Sequence, residues 1–188
     1  MNRIQVVSAR FLSLFKFLIV FLPGLAMFKW LCIKADFMKS MFIQNTLIEP
    51  YHGPEGVVYL TDVSWTPLTQ FIALFSDMLA LLPILVGLYA LIHIFQHYKH
   101  AEIFNMANAR YYRLIGWMFI LDGLLTRSLS DGIMTIAVTL NNPPGHRYLT
   151  LQFGSPNLEA IFCGAVVIVV SWVMLEASKL HEEQKYIV

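Results

Sequence analysis

Three ionisable residues, Asp122, Arg127 and Asp131, stand inside a single apolar run of the chain. A charge at membrane depth is costly and needs a partner or water, so such groups either clamp helices together or line a proton or ion path. Arg127 and Asp131 are four positions apart and share one helix face. Asp77 enters from another apolar run. At about 1.5 Å of rise per residue, Arg127 sits some 20 Å from one end of its span, and Asp77 about 9 Å from the opposite side. These depths roughly coincide, so Arg127 is expected to pair with Asp77, with Asp131 as a second carboxylate. A neutralised cluster of this kind is more often a structural clamp than a pathway. Asp122 is five positions from Arg127, on a different face, and suits a polar cavity, although a protonated carboxyl could also sit in lipid.

His93, His97 and His100 recur at offsets of four and seven, on one helical face. Imidazoles at i and i+4 can share a metal, and paired histidines hold haem in membrane proteins. No other run offers a histidine at the depth of His93, and His181 could only meet His97 or His100 near the surface. Solvated helix-end histidines are the commoner case, so no metal or cofactor is expected. Cys32 and Cys163 form no C-x-x-C pair, and two apolar thiols are the default reading. No nucleophile elbow, P-loop, zincin or dinucleotide fingerprint occurs, so no catalytic residues are expected and the chain is read as no enzyme.

The elements that must position these residues follow from composition. The chain has 188 residues, 57% hydrophobic and 13% charged, against roughly 25% charged in soluble domains. Its mean hydropathy is +0.62. That excludes a disordered chain, and a net charge of +1 leaves no footprint for direct nucleic-acid binding. A bilayer core needs about 20 apolar helical residues, and runs at about 11–33, 71–95, 114–140 and 158–180 qualify. The prediction is one all-α domain, an integral membrane four-helix bundle in direct contact with the lipid bilayer. The first run follows Arg3 and Arg10 but no A-x-A site comes after it, so it reads as a retained anchor rather than a cleaved signal.

Basic residues set the orientation. Arg3, Arg10, Lys16, Lys99, Arg110, Arg113, Lys179 and Lys185 fall on the side of the termini, against Lys29, Lys34, Lys39 and Arg147 on the other. Both termini are therefore expected to be cytoplasmic, with extracytoplasmic loops at about 34–70 and 141–157. The first loop, with Pro50, Gly53, Pro54 and Gly56, suggests turns rather than a second folded domain. Asn141-Asn142-Pro143-Pro144-Gly145 stops the third helix, and Asn105 is its expected N-cap. Tyr111, Tyr112 and Trp117 suit the headgroup region.

Small residues bring helices close in lipid. The second run spaces Ala73, Ser76, Ala80, Pro83, Gly87 and Ala90 by threes and fours, and the third spaces Gly116, Gly123, Ser130 and Ala137 by sevens. The two stripes are expected to seal the second and third spans into an antiparallel hairpin. Small residues are also simply common in membrane helices.

The tail changes character. Glu176, Lys179 and Glu183 support a helix emerging from the last span, and Leu180, Tyr186, Ile187 and Val188 leave an apolar strip among Glu182, Glu183 and Lys185. It reads as a solvated helix end or as a docking surface for a partner.

The run from Glu176 to Gln184, closing on Val188, resembles the C-terminal signature of domain-of-unknown-function family 2975. So does the stretch from Phe95 to Gly116, with Phe95-x-x-Tyr98, Ile103-Phe104, Asn108 and Arg113-Leu114-Ile115-Gly116. The resemblance covers roughly Leu74 to Val188, while the first span and its loop fit in length and character only. The family often has glycine just before its Ile-Phe pair, where this chain has Ala101-Glu102. What the resemblance implies is a bacterial inner-membrane protein of four spans with no established activity, often found beside small helix-turn-helix regulators. The leading expectation is thus a non-enzymatic regulatory or interaction protein, its docking residues Glu176, Lys179, Leu180, Glu182 and Glu183 facing a cytoplasmic partner such as such a regulator. The alternative is a small transporter or channel, built as a homo-oligomer around Asp122, Arg127 and Asp131.

Overall fold

The computed structural model describes residues 3–33, 51–53, 56–58, 60, 63–143, 146–147, 149 and 157–185. In chain order these form α1 (Arg3–Cys32), strands β1 (Tyr51–Gly53) and β2 (Gly56–Val58), α2 (Pro67–Lys99), α3 (Met106–Leu121), one π-helical turn (Asp122–Thr126), α4 (Arg127–Thr139) and α5 (Leu158–Lys185). The strands pair antiparallel, Tyr51 opposite Val58 and Gly53 opposite Gly56, as a small ribbon within the first expected loop. The rest is helix. Three helices are long and apolar enough to cross a bilayer: Gln5–Cys32, Pro67–Lys99 and Leu158–Gln184. Phe17, Val20, Leu31, Phe71, Phe162 and Val173 lie exposed along them. In water so much exposed hydrocarbon would drive aggregation, whereas lipid solvates it. This is a membrane protein.

Local chemistry explains the boundaries. Pro67 opens α2 at the position where a missing N–H costs nothing. Ahead of it, Thr66 and Thr69 cap each other: the Thr66 N–H donates to Thr69 Oγ1 at 2.9 Å and the Thr69 N–H to Thr66 Oγ1 at 3.4 Å. Asn105 caps α3 as expected, its Oδ1 accepting from the Ala107 N–H at 2.9 Å. α4 ends at Thr139, just before the Asn141–Asn142–Pro143 stop.

α2 ends in a Schellman turn. The Glu102 N–H reaches the His97 carbonyl at 3.0 Å and the Ala101 N–H the Tyr98 carbonyl at 3.1 Å. This geometry needs a left-handed residue at position 101, and Ala101 adopts φ 62°. A Cβ in that conformation costs roughly 1 kcal/mol. Ala101→Gly is therefore expected to stabilise the chain by about 1 kcal/mol in denaturant titration; a loss of stability would show that the turn closes differently.

The chain divides into two compact units. In the first (Met1–Leu22, Leu81–Leu125, Ser155–Val188), α3 packs along α5 through glycine. A Cβ on Gly116 would lie 2.8 Å from the Gly164 carbonyl oxygen, and one on Gly164 would lie 2.6 Å from the Gly116 carbonyl oxygen. Gly123 approaches the start of α5, its carbonyl accepting from the Asn157 N–H at 3.0 Å. Nearer the Schellman turn, Ala90, Ile94 and Ile115 form a core. Phe95 packs there against Phe11 (tilted) and Phe15 (edge-on) of α1, at centroid distances of 5.5 and 5.2 Å.

In the second unit (Pro23–Ala80, Thr126–Gly154) the core gathers Trp30, Ile33, Trp65, Ala73, Met134 and Ala137. Ser76 and Ser130 clasp across it: Ser76 Oγ donates to the Ser130 carbonyl at 2.7 Å, and Ser130 Oγ to the Ser76 carbonyl at 3.0 Å. The buried hydroxyls of Thr135 and Thr139 turn back on their own helix, donating to the Asp131 and Thr135 carbonyls at 2.8 Å each.

These contacts correct the expected seal between the two small-residue stripes. Ser130 and Ala137 do meet Ser76 and Ala73 of α2, but Gly116 and Gly123 face α5 instead. The reason is the π turn, which lies between the two halves of the stripe. One extra residue per turn advances the helical face by about 100°, so a spacing of seven no longer marks one continuous face.

Candidate functional site

Within the first unit, α2 and α3 line a half-open pocket of about 210 Å³. Pro83, Gly87 and Leu91 line it from α2 at intervals of four, and Ile115 and Met118 of α3 with Asp122, the first residue of the π turn, line it at offsets of three and seven. Each set is one helical stripe. Asp122 opens the π turn and supplies the only ionisable side chain of the lining. Its carboxylate has no hydrogen bond or ion pair among the described residues. Asp122 was expected in a polar cavity; it does line a pocket, but the lining is apolar.

The other three ionisable residues are arranged differently from expectation. Asp77 forms its ion pair with Lys29 of α1, and Trp30 Nε1 donates to Asp77 Oδ2 at 2.7 Å. Lys29 Nζ lies 4.8 Å from the centre of the Trp30 ring, and Trp30 meets Trp65 edge-on at 4.9 Å. The Asp77–Arg127 pair is not formed: both Arg127 and Asp131 are exposed on α4 and belong to no ion pair among the described residues. Depth alone could not choose between Arg127 and Lys29, since both have access to the level of Asp77. The tryptophan beside Lys29 is the signal that could have done so, because an indole N–H and an ammonium converge on one carboxylate.

The histidine face is divided among separate tasks. His93 is sandwiched by aromatic rings, Tyr111 parallel at 5.1 Å and Tyr89 edge-on at 4.5 Å. His97 belongs to a buried network that the sequence did not reveal. Asn108, fully buried, donates from Nδ2 to the Glu102 and Ile103 carbonyls at 2.9 and 3.0 Å. Its Oδ1 therefore accepts, and His97 Nδ1, 2.6 Å away, carries the proton. Asn108 so ties α3 to the Schellman turn. Alongside it, the hydroxyls of Tyr98 and Tyr112 are 2.8 Å apart.

The tail residues singled out for docking, Glu176, Lys179, Leu180, Glu182 and Glu183, are all exposed on α5. Glu176 and Lys179 pair at 3.1 Å, an exposed contact that contributes little. His181 rests against Phe104 of the turn, ring centres 6.5 Å apart. Tyr186, Ile187 and Val188, the rest of the expected apolar strip, lie outside the described residues, as do Lys34 and Lys39. Cys32 and Cys163 are free thiols.

Phe95, Tyr98, Asn108 and Gly116 thus each have a packing or hydrogen-bonding task, and they are residues on which the family resemblance rested. The profile of the family described as "Protein of unknown function (DUF2975)" matches residues 23–188. The chain belongs to this family. The DUF2975 match extends beyond the resemblance read from Leu74 onward, taking in the last third of α1, from Pro23, and the loop that follows. No curated protein and no solved structure matches the chain.

Proposed function

We propose that this DUF2975 protein is a non-enzymatic, multi-pass inner-membrane protein whose Schellman turn and C-terminal helix together dock a cytoplasmic protein. In this reading α3, the π turn and α4 make the fourth span and both termini are cytoplasmic, in line with the basic residues on the turn side. One observation carries the proposal: Phe104 of the turn meets His181 of the tail, and Phe104 and Leu180 are left 49% and 57% exposed beside charged residues. Apolar side chains held at a fixed place among charges are what a partner helix can bury. The buried Asn108 network makes the turn rigid, which lowers the ordering cost of binding. The family setting points to a helix-turn-helix regulator as the partner. Arg127 and Asp131, exposed at membrane depth, fit a homo-oligomer in which copies neutralise each other.

Photo-crosslinking in cells tests the docking face. A photoreactive residue at Phe104 and one at Leu180 are expected to capture the same protein, and one at Val173, on the lipid-facing stretch of α5, to capture none. No shared adduct at Phe104 and Leu180, or the same adduct at Val173, would refute the docking face.

A further inference from the structure

The cavity at Asp122 lies away from the docking face and calls for an occupant of its own. At about 210 Å³ it exceeds the roughly 150 Å³ that accommodates benzene in a protein interior. Its walls are hydrocarbon and one aromatic ring, Phe119. An ionised carboxylate against such walls needs a compensating positive charge, and no side chain among the described residues provides one.

The chemistry of the lining narrows the occupant. A single carboxylate is too few oxygens for a calcium or magnesium ion, which takes six or more oxygen ligands. An anion is repelled, and a lipid chain fills the space only with Asp122 protonated. A cation with an apolar body fits this lining: the walls take the body, Asp122 among them supplies the counter-charge, and an aromatic ring is at hand for cation–π attraction. The π turn that starts at Asp122 belongs to a class of helix defect found frequently at functional sites. We propose that this cavity binds a small organic cation, an amine or quaternary ammonium carrying a compact apolar group, with Asp122 as its counter-ion.

The test uses the full chain in lipid nanodiscs, with phenyltrimethylammonium and its neutral isostere tert-butylbenzene as probes, read by titration calorimetry. Wild type is expected to bind the cation at least tenfold more tightly than Asp122→Asn does, while the isostere binds both variants alike. Gly87→Leu provides a second variant: a Cβ at Gly87 meets nothing within 4 Å, and Gly87 lines the pocket, so the added side chain is expected to occupy it. With helix content and detergent unfolding unchanged, it is expected to remove binding of both probes with Asp122 still in place. Absence of cation binding to wild type, equal affinity for Asp122→Asn, or unchanged affinity in Gly87→Leu would each overturn the proposal. None of these readouts depends on the docking face.

Discussion

Gly116→Ala is expected to lower stability by about 3 kcal/mol, in the range of severe core overpacking, although alanine is the better helix former. In a helix interior the exchange of glycine for alanine is worth close to 1 kcal/mol in favour of alanine. At Gly116 that gain is overwhelmed, because the new Cβ would lie 2.6 Å from Ile168 Cγ1 and 2.8 Å from the backbone oxygen of Gly164. The first neighbour is a side chain and can move; the second is backbone and moves only if α5 moves. Gly164→Ala meets the same obstacle from the other side, 2.6 Å from the Gly116 oxygen and 2.8 Å from Ile120 Cγ1. Gly87→Ala supplies the contrast, since nothing lies within 4 Å of its added Cβ, and it should be neutral or gain up to about 1 kcal/mol. Unfolding in mixed micelles of increasing SDS content measures all three. Equal behaviour of Gly116→Ala and Gly87→Ala would mean that α3 and α5 do not approach as closely as described.

That contrast also marks how far the sequence could be read. Long apolar runs announce helices, because a backbone in lipid must satisfy its own hydrogen bonds, and three of the four expected runs are helices of membrane length. The fourth, 114–140, is helical but broken by the π turn. Asn105 and the Asn-Asn-Pro stop were legible because caps and breakers act within a few residues. Ser76 and Ser130 were legible as small positions, though not as a hydrogen-bonded clasp. The direction of Gly116 and Gly123 was not legible. A spacing of seven says that a helix has a thin face, but not which neighbour uses it, and a π turn leaves no clear mark in residue types. Asn108 was singled out only through the family resemblance, and its network was not legible for a related reason: a single amide near a helix start is ordinary until two loop carbonyls and His97 are brought around it. The offset of Asp122 from Arg127 sets it on a different face, but the apolar character of the pocket it lines was not legible, because the pocket is made by residues of two helices.

The Lys29–Asp77 pair, which replaces the expected pair with Arg127, allows a sharper test than either residue gives alone. Both side chains are less than a quarter exposed, 23% and 20%, so neither is a freely solvated surface charge. Asp77→Leu leaves the Lys29 ammonium and the Trp30 N–H without an acceptor, and is expected to cost about 3 kcal/mol. Lys29→Met strands the Asp77 carboxylate in the same way, softened by the Trp30 hydrogen bond at 2.7 Å that survives, and should cost about 2 kcal/mol. The double variant Lys29→Met/Asp77→Leu removes both charges together. It is expected to lie within about 1 kcal/mol of wild type, because apolar side chains of similar volume can replace a desolvated ion pair almost without loss. The remaining deficit would be the Trp30 N–H, now unpaired at the edge of the Trp65 ring. The same cycle run on Arg127→Leu and Asp77→Leu should show simple additivity, since those two residues form no ion pair. Strong coupling there, with additivity for Lys29, would restore the Arg127 clamp and displace Lys29 from its place beside Asp77.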